Sequence, residues 1–340
     1  MQALAEFELK RAASLDEAVA WLAAEPRSRL LAGGTDLLPN LRRGVAQASL
    51  LVDLSAVHGL RDVAVTERGL SLGACVTLAR LTSDPTIGLL APALEQAARA
   101  VAGPAHRSTA TLGGNLCQDT RCVFYNQSQW WRAANTHCLK HGGAVCHVAP
   151  QGQRCHAAFS GDLAPALLVL QAEVELASAG GVRIVPLTDL YRDDGAAHLS
   201  LARGEVVTRV HLPTGLPGGR SGYRKARTRA AMDFPLAGVA CALTLHEGEV
   251  RSTAGTLVDF RIAITGTNSK PFLLAGCEHF IGRRVDAELR ARLGKLVQRQ
   301  VSPMRSTVTP SHYRRLAAAA LAQDLVRELA GAAPDATRGA

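Results

Sequence analysis

Aromatic residues are scarce, at 4% of the 340 positions, so the cores of this chain must be packed with aliphatic side chains. No run of ~18 uninterrupted apolar residues occurs, which argues against a membrane span. The stretch Met1 to Lys10 carries Glu6 and Glu8 and has no apolar signal core. That argues against secretion, and a cytoplasmic protein is expected. Basic runs interleaved with aromatics are absent, as is any nucleic-acid motif, so no nucleic-acid partner is expected. Neither G-x-G-x-x-G nor G-x-x-x-x-G-K-[ST] is present, which excludes an ordinary Rossmann fingerprint and a P-loop.

What is present is 47% hydrophobic residues, enough for sizeable cores, and a length that suits two or three domains. The formal net charge is +9. Such a surface is either generally basic or suited to an acidic electron carrier. Eight cysteines without an export signal point to a reducing compartment, where clustered cysteines serve metal or redox chemistry more often than disulfides.

Along the chain, Ser14-Leu15-Asp16-Glu17 reads as a capping box opening a helix through Ala24, with Glu17 reaching back to a free amide. Strands are expected at Leu30–Ala32, Leu50–Leu54 and Gly69–Gly73, with a helical turn over Leu37–Leu41 and a helix over Pro92–Val101. From Cys117 to His156 the apolar periodicity disappears. An irregular segment of that length is usually functional or disordered, and its cysteines favour function. Asp162 is expected to cap a helix through Leu168. Further strands are expected at Ala172–Ala177 and Val206–Leu212. Pro213–Ser221 reads as a linker. Beyond it, strands are expected at Gly222–Arg227, Gly238–Leu245 and Val258–Ile264, then helices at Ala287–Gln300 and Pro310–Leu329, the last behind a Thr309 cap.

Two paired-glycine turns stand out: Ala32-Gly33-Gly34-Thr35-Asp36-Leu37 and Thr111-Leu112-Gly113-Gly114-Asn115. Such turns let backbone amides approach an anion closely, and two of them can grip a pyrophosphate from two sides. Singly, each also reads as an ordinary tight turn. Cys122, Cys138, Cys146 and Cys155 fall within 34 residues, separated by 15, 7 and 8. The spacing matches neither a zinc ribbon nor a compact ferredoxin run. Four clustered cysteines favour a metal over free thiols, but their count does not separate zinc from iron–sulfur. His137, His141, His147 and His156 add candidate zinc ligands.

The two turns, in this order and spacing, resemble the flavoprotein subunits of the molybdenum hydroxylase superfamily. The resemblance implies an α+β fold: a two-subdomain FAD-binding region over 1–215, divided near 57/58, then a smaller C-terminal α+β domain over 220–332 and a tail over 333–340. It implies FAD contacts from Ala32, Gly33, Gly34, Thr35, Asp36, Leu37, Thr111, Gly113, Gly114 and Asn115. Asp162 resembles the family's acidic residue at the flavin nucleotide, Val206 and Val207 the segment beside the flavin ring, and Lys225 a lysine near the isoalloxazine. Taken alone, Asp162 also reads as a helix cap and Lys225 as a solvated charge.

The stretch from Asn115 to Arg132 resembles the flavoprotein subunits of the 4-hydroxybenzoyl-CoA reductase family. There an insertion, here about 117–158, holds a [4Fe–4S] cluster, and Cys122, Cys138, Cys146 and Cys155 match its ligands. The implied activity is electron transfer supporting reductive dehydroxylation of 4-hydroxybenzoyl-CoA. The implied partners are a molybdenum-binding large subunit, a [2Fe–2S] small subunit and a ferredoxin-like donor. Two other readings stand beside it: a hydroxylase-type flavoprotein subunit passing electrons outward for another aromatic or heterocyclic substrate, and a zinc-stabilised assembly subunit without a redox role.

Overall fold

The computed structural model describes residues 4–215, 219–246 and 255–331. The expected tail over 333–340 and the middle of the linker lie outside them.

Three sheets organise the described residues. β1 (Glu8–Arg11), β2 (Ser28–Leu31) and β3 (Leu50–Asp53) form a parallel sheet in the order β1-β3-β2, so the expected strand–helix–strand unit is present. The helix Leu15–Ala24 crosses between β1 and β2. Ser14 accepts from the Glu17 amide, while the Glu17 carboxylate takes the Ala13 amide, one residue before the usual box partner. β4 (Val63–Thr66), β5 (Gly69–Gly73), β6 (Glu173–Ser178), β7 (Gly181–Pro186) and β8 (Val206–Pro213) form an antiparallel sheet in the order β4-β5-β8-β6-β7. β4 and β7 were not expected from the sequence; they are edge strands of slight burial, with Val65, Val182 and Ile184 exposed.

β9 (Arg220–Ala226), β10 (Ala237–Leu245), β11 (Leu257–Thr265) and β12 (Phe272–Leu273) form a second antiparallel sheet in the order β12-β11-β10-β9. β10 alternates between two cores with the two-residue period of a strand. Ala240 and Ala242 face the larger core; Val239, Cys241 and Leu243 face the helices Ala287–Gln300 and Ser311–Leu329. The small alanines accept the helix Leu163–Val169, every residue of which is buried. A helix apolar all round belongs in such a place, between two domains.

The last helix begins at Ser311 with Pro310 as its flanking residue, one position later than expected, and Thr309 makes no side-chain cap. Arg314 on this helix is fully buried. Its guanidinium donates to the carbonyls of Leu236, Met304 and Gly266. The segment it fixes reaches the cysteine insertion, because the Val123 amide donates to the Ser306 carbonyl at 2.8 Å. The insertion itself is less irregular than its composition implies. It contains the helix Gln129–Ala134, capped by Ser128, and a helical turn at Leu139–His141. Both are too short to show apolar periodicity. Among the described residues, no helix is long and apolar enough to cross a membrane.

Candidate functional site

The two glycine turns meet. The first follows β2, and a Cβ on Gly33 would overlap the Thr109 carbonyl and lie 3.0 Å from the Ala110 Cα, directly before the second turn. Gly33 is therefore required by turn-on-turn packing. Gly34 is required by its backbone, at φ +69°. The amides of residues 33–36 donate to no protein acceptor among the described residues. Free, consecutive amides of this kind suit a phosphate. Thr35 is exposed; Ala32 and Leu37 are half-buried.

The second turn is built differently. Its amides are engaged: Leu112 to the Val76 carbonyl at 2.9 Å, Gly113 to that of Ala74 at 2.8 Å, and Gly114 to the Thr111 hydroxyl at 3.1 Å. A Cβ on Gly113 would come within 2.9 Å of the Ala74 side chain. The second turn thus supplies shape and close approach, whereas the first supplies free donors. Nearby, two buried donors have no protein acceptor, Gln118 Nε2 and Arg121 Nε. The free amides and these donors fit an anionic nucleotide.

Asp162 does not cap its helix. It has helical backbone angles and makes no capping bond. The Asn115 side chain takes that place, accepting from the Leu163 amide at 3.1 Å. Asp162 instead accepts from the Tyr223 hydroxyl at 2.6 Å and the Lys225 ammonium at 3.1 Å. Lys225 also donates to the Ala100 carbonyl and is only 3% exposed, so it is not a solvated charge. Burial pushes the Asp162 carboxyl up, and Lys225 and Tyr223 pull against that shift. Tyr223 was not legible as a site residue, although it lies two positions before Lys225 on β9 and so on the same face. Val206 and Val207 are buried at the start of β8, in different cores. β8 backs the second turn: the Thr208 carbonyl accepts from Ala74, whose carbonyl accepts from Gly113.

Three of the four insertion cysteines share one small apolar cluster, and the fourth, Cys146, is buried near by. Cys122 and Cys155 pack with Val45, Tyr125 and Ala157, against Phe124, Cys138, Leu139 and Val148. Cys146 is buried close enough to be felt by both Cys122 and Cys155. All four are free thiols. Burial raises the Cys122 pKa; the Phe124 and Tyr125 amides oppose it, and Cys138 and Cys146 add to it. The Cys155 sulfur accepts from the Ala157 amide at 3.4 Å. Buried, amide-bonded cysteines suit metal-bound thiolates, which do not survive there unligated. Among the described residues, no three His, Cys, Asp or Glu side chains converge tightly enough to hold a single ion. Of the candidate zinc histidines, His147 bonds the Thr136 carbonyl at 2.8 Å, and the rings of His137 and His141 meet edge to face at 4.7 Å.

A polar chain joins the first turn to the cysteine insertion. The Asp36 carboxylate pairs with Arg121 and accepts from the Asp119 amide at 3.1 Å. Arg121 also donates to Asn40 and lies 4.8 Å from the Phe234 ring. Asp119 in turn holds Lys140 at 2.6 Å. None of Asp119, Arg121 and Lys140 was singled out by sequence. The one available signal was a polar Asp-Thr-Arg triplet directly before Cys122.

Free donors at a glycine turn and a second turn packed on it suit a nucleotide-binding class of protein. Residues 5–215 match the FAD binding domain in molybdopterin dehydrogenase, and residues 221–329 match the CO dehydrogenase flavoprotein C-terminal domain. The chain belongs to this family of FAD-binding subunits of molybdenum hydroxylases and dehydrogenases. It is 33% identical to the aldehyde oxidoreductase FAD-binding subunit of Escherichia coli K12, over 68% of this chain and 74% of that one. It is 26% identical to the glyceraldehyde dehydrogenase medium chain of Sulfolobus acidocaldarius, over 96% and 99%. Quinoline 2-oxidoreductase from Pseudomonas putida 86 superposes with a TM-score of 0.76 at 26% identity, over 97% and 99%.

Proposed function

We propose that this chain is the FAD- and [4Fe–4S]-carrying electron-transfer subunit of a cytoplasmic molybdenum enzyme of the 4-hydroxybenzoyl-CoA reductase type. In this reading it works in a hetero-oligomer with a molybdenum-binding large subunit and a [2Fe–2S] small subunit. The observation that carries it is the packing of Cys122, Cys138 and Cys155 in one apolar cluster with the buried Cys146 near by, tied by Arg121 and Asp119 to Asp36 of the first glycine turn.

When bound, the cluster supplies one-electron transfer and the flavin joins such steps to two-electron chemistry. The chain's own residues hold and orient these groups. The free amides of residues 33–36 take the nucleotide's phosphates. Asp162 accepts from both Tyr223 and Lys225, and this buried group would hold the Lys225 ammonium toward a bound flavin. The four cysteines hold the cluster, and the amides of Phe124, Tyr125 and Ala157 favour their thiolate forms. The apolar walls of the pocket keep water away from the sulfurs. An acidic ferredoxin is the donor best suited to the chain's net charge of +9.

A second reading is favoured by relatives whose names mark them as oxidative, such as the nicotine 6-hydroxylase medium subunit of Paenarthrobacter nicotinovorans, at 29% identity. The same subunit would then carry electrons outward from another aromatic or heterocyclic substrate. One preparation separates the readings: purify the intact complex anaerobically and determine iron, sulfide, zinc, molybdenum, flavin and subunits together. Then supply reductant and 4-hydroxybenzoyl-CoA. Four additional irons tied to this subunit, with benzoyl-CoA formed, support the reductase. Stoichiometric zinc without that iron rejects the cluster. Oxidative turnover alone selects the second reading.

A further inference from the structure

The cysteine insertion contains two buried cations, Lys140 and Arg132. Lys140 lies two residues after Cys138, and only 5% of its side chain is exposed. Its ammonium donates to Asp119 at 2.6 Å, to the Thr120 hydroxyl at 2.5 Å and to the Thr120 carbonyl at 3.3 Å. It also stands 4.5 Å from the centroid of the Tyr125 ring. Arg132 is 2% exposed. It donates to the backbone carbonyls of Tyr125, Gln127 and Gly44, and its Nε has no acceptor. Among the described residues, Arg132 pairs with no carboxylate.

Both cations border the wall of the cysteine pocket. Tyr125 presents its ring to Lys140 and its carbonyl to Arg132, and it packs with Cys122 and Cys155. Gly44, the other anchor of Arg132, precedes Val45 of the same pocket.

Burying a cation without a counter-charge costs several kcal/mol. Asp119 answers Lys140, but among the described residues no carboxylate answers Arg132. Four protonated thiols would leave that imbalance in place. Four thiolates on an iron–sulfur cluster would offset it, because the cluster with its ligands is net negative and gains one more negative charge on reduction. A fixed positive charge behind a low-dielectric wall favours that added electron.

We propose that Lys140 and Arg132 are the charge-compensating residues of the cluster site, holding the reduction potential of the cluster above the value its four cysteines alone would impose. Lys140 acts across the Tyr125 ring, and Arg132 acts from the Tyr125 carbonyl. The inference rests on the reading that the four cysteines hold a [4Fe–4S] cluster.

The test uses the intact complex, titrated anaerobically, with the cluster followed by electron paramagnetic resonance and the flavin by absorbance. Lys140→Met should move the cluster potential to more negative values and leave the flavin potential in place. Lys140→Arg should keep the wild-type potential. Arg132→Gln should shift it in the same direction as Lys140→Met, by less. The shifts should persist at high salt, because buried charges are poorly screened. An unshifted cluster in Lys140→Met, or a shift to more positive values, overturns the proposal. If Lys140→Met assembles no cluster, Lys140→Arg decides: a cluster with wild-type potential supports charge compensation, and its loss there too makes the lysine a packing element only. Absence of this subunit's iron from the wild-type complex removes the underlying reading and the proposal with it, and iron and sulfide analysis shows that case separately.

Discussion

Glycines that look alike in the sequence carry different constraints here. Gly33 is held by the Thr109 carbonyl, Gly34 by its positive φ, Gly113 by Ala74 and Gly114 by the Thr111 hydroxyl that caps it. Gly34→Val places a β-branched residue in the left-handed region, at a cost of about 1–3 kcal/mol. It also crowds Leu31 and Leu38. The expected outcome is a folded chain that releases its FAD; flavin content after gel filtration, with circular dichroism as the folding control, checks it. Retention equal to wild type would place the nucleotide elsewhere. At Cys138, the least buried of the four pocket cysteines, substitution by alanine should remove about one cluster's worth of iron per chain and spare the flavin. Iron and flavin assays on the same sample check both halves. Asp162 shows where reading single residues stops. A lone Asp before an apolar run suggests a cap, but the Asn115 amide oxygen, 48 positions away in sequence, arrives first and leaves the carboxylate for Lys225.

The elements divide by how much of their stability is local. The helix Leu15–Ala24 and β10 were legible because a cap and a two-residue alternation mark them without reference to the rest of the chain. The parallel sheet depends on a contact between strands. Asp53 at the end of β3 accepts from the Ser55 amide and hydroxyl, both at 2.8 Å, and from Arg11 of β1 at 3.0 Å. Burial opposes its ionisation, but these donors together hold its carboxyl below the ordinary aspartate value. A carboxyl depressed in the folded state contributes stability that is present above the unfolded value, near pH 4. That stability is lost as pH falls through the folded value. Asp53→Asn should therefore cost about 1–2 kcal/mol at pH 7. Its urea transition should converge on that of wild type below pH 4, and an equal deficit at pH 7 and pH 3 would show that charge is not involved. Arg314, whose fork satisfies three buried carbonyls, is a second such link. Arg314→Met should cost about 3 kcal/mol by orphaning them, read as a lowered unfolding midpoint.

At the scale of the molecule, the helix Leu163–Val169 lies between the two domains, so the flavin region and the C-terminal domain share one core. Lys225 on β9 meets Asp162 because of that shared core. The two sequence relatives are named as a medium chain and an FAD-binding subunit, and the quinoline 2-oxidoreductase structure shares the fold over 97% of this chain. The division of labour proposed above predicts that the subunit alone, loaded with FAD and iron–sulfide and given reductant, forms no benzoyl-CoA. Product formation without a partner, detected by chromatography, would end that division. The net charge of +9 predicts that reduction by an acidic ferredoxin slows as ionic strength rises, which rapid mixing at several salt concentrations measures.

The sequence by itself determined the local features: two glycine turns, a clustered set of cysteines, an aliphatic core and strands that read by alternation. Each depends on neighbours within a few positions, so each is visible in order along the chain. Only the tertiary structure decided which amides stay free and which carboxylate meets which cation. It packed the first turn onto the second across about 75 positions, which requires Gly33 for a reason unrelated to any ligand. It brought Asp36 to Arg121 and Lys140 to the cysteine pocket, where a charged residue that reads as surface becomes buried. Long-range pairing of polar groups follows from how the cores close around them, and no pattern of adjacent residues encodes it.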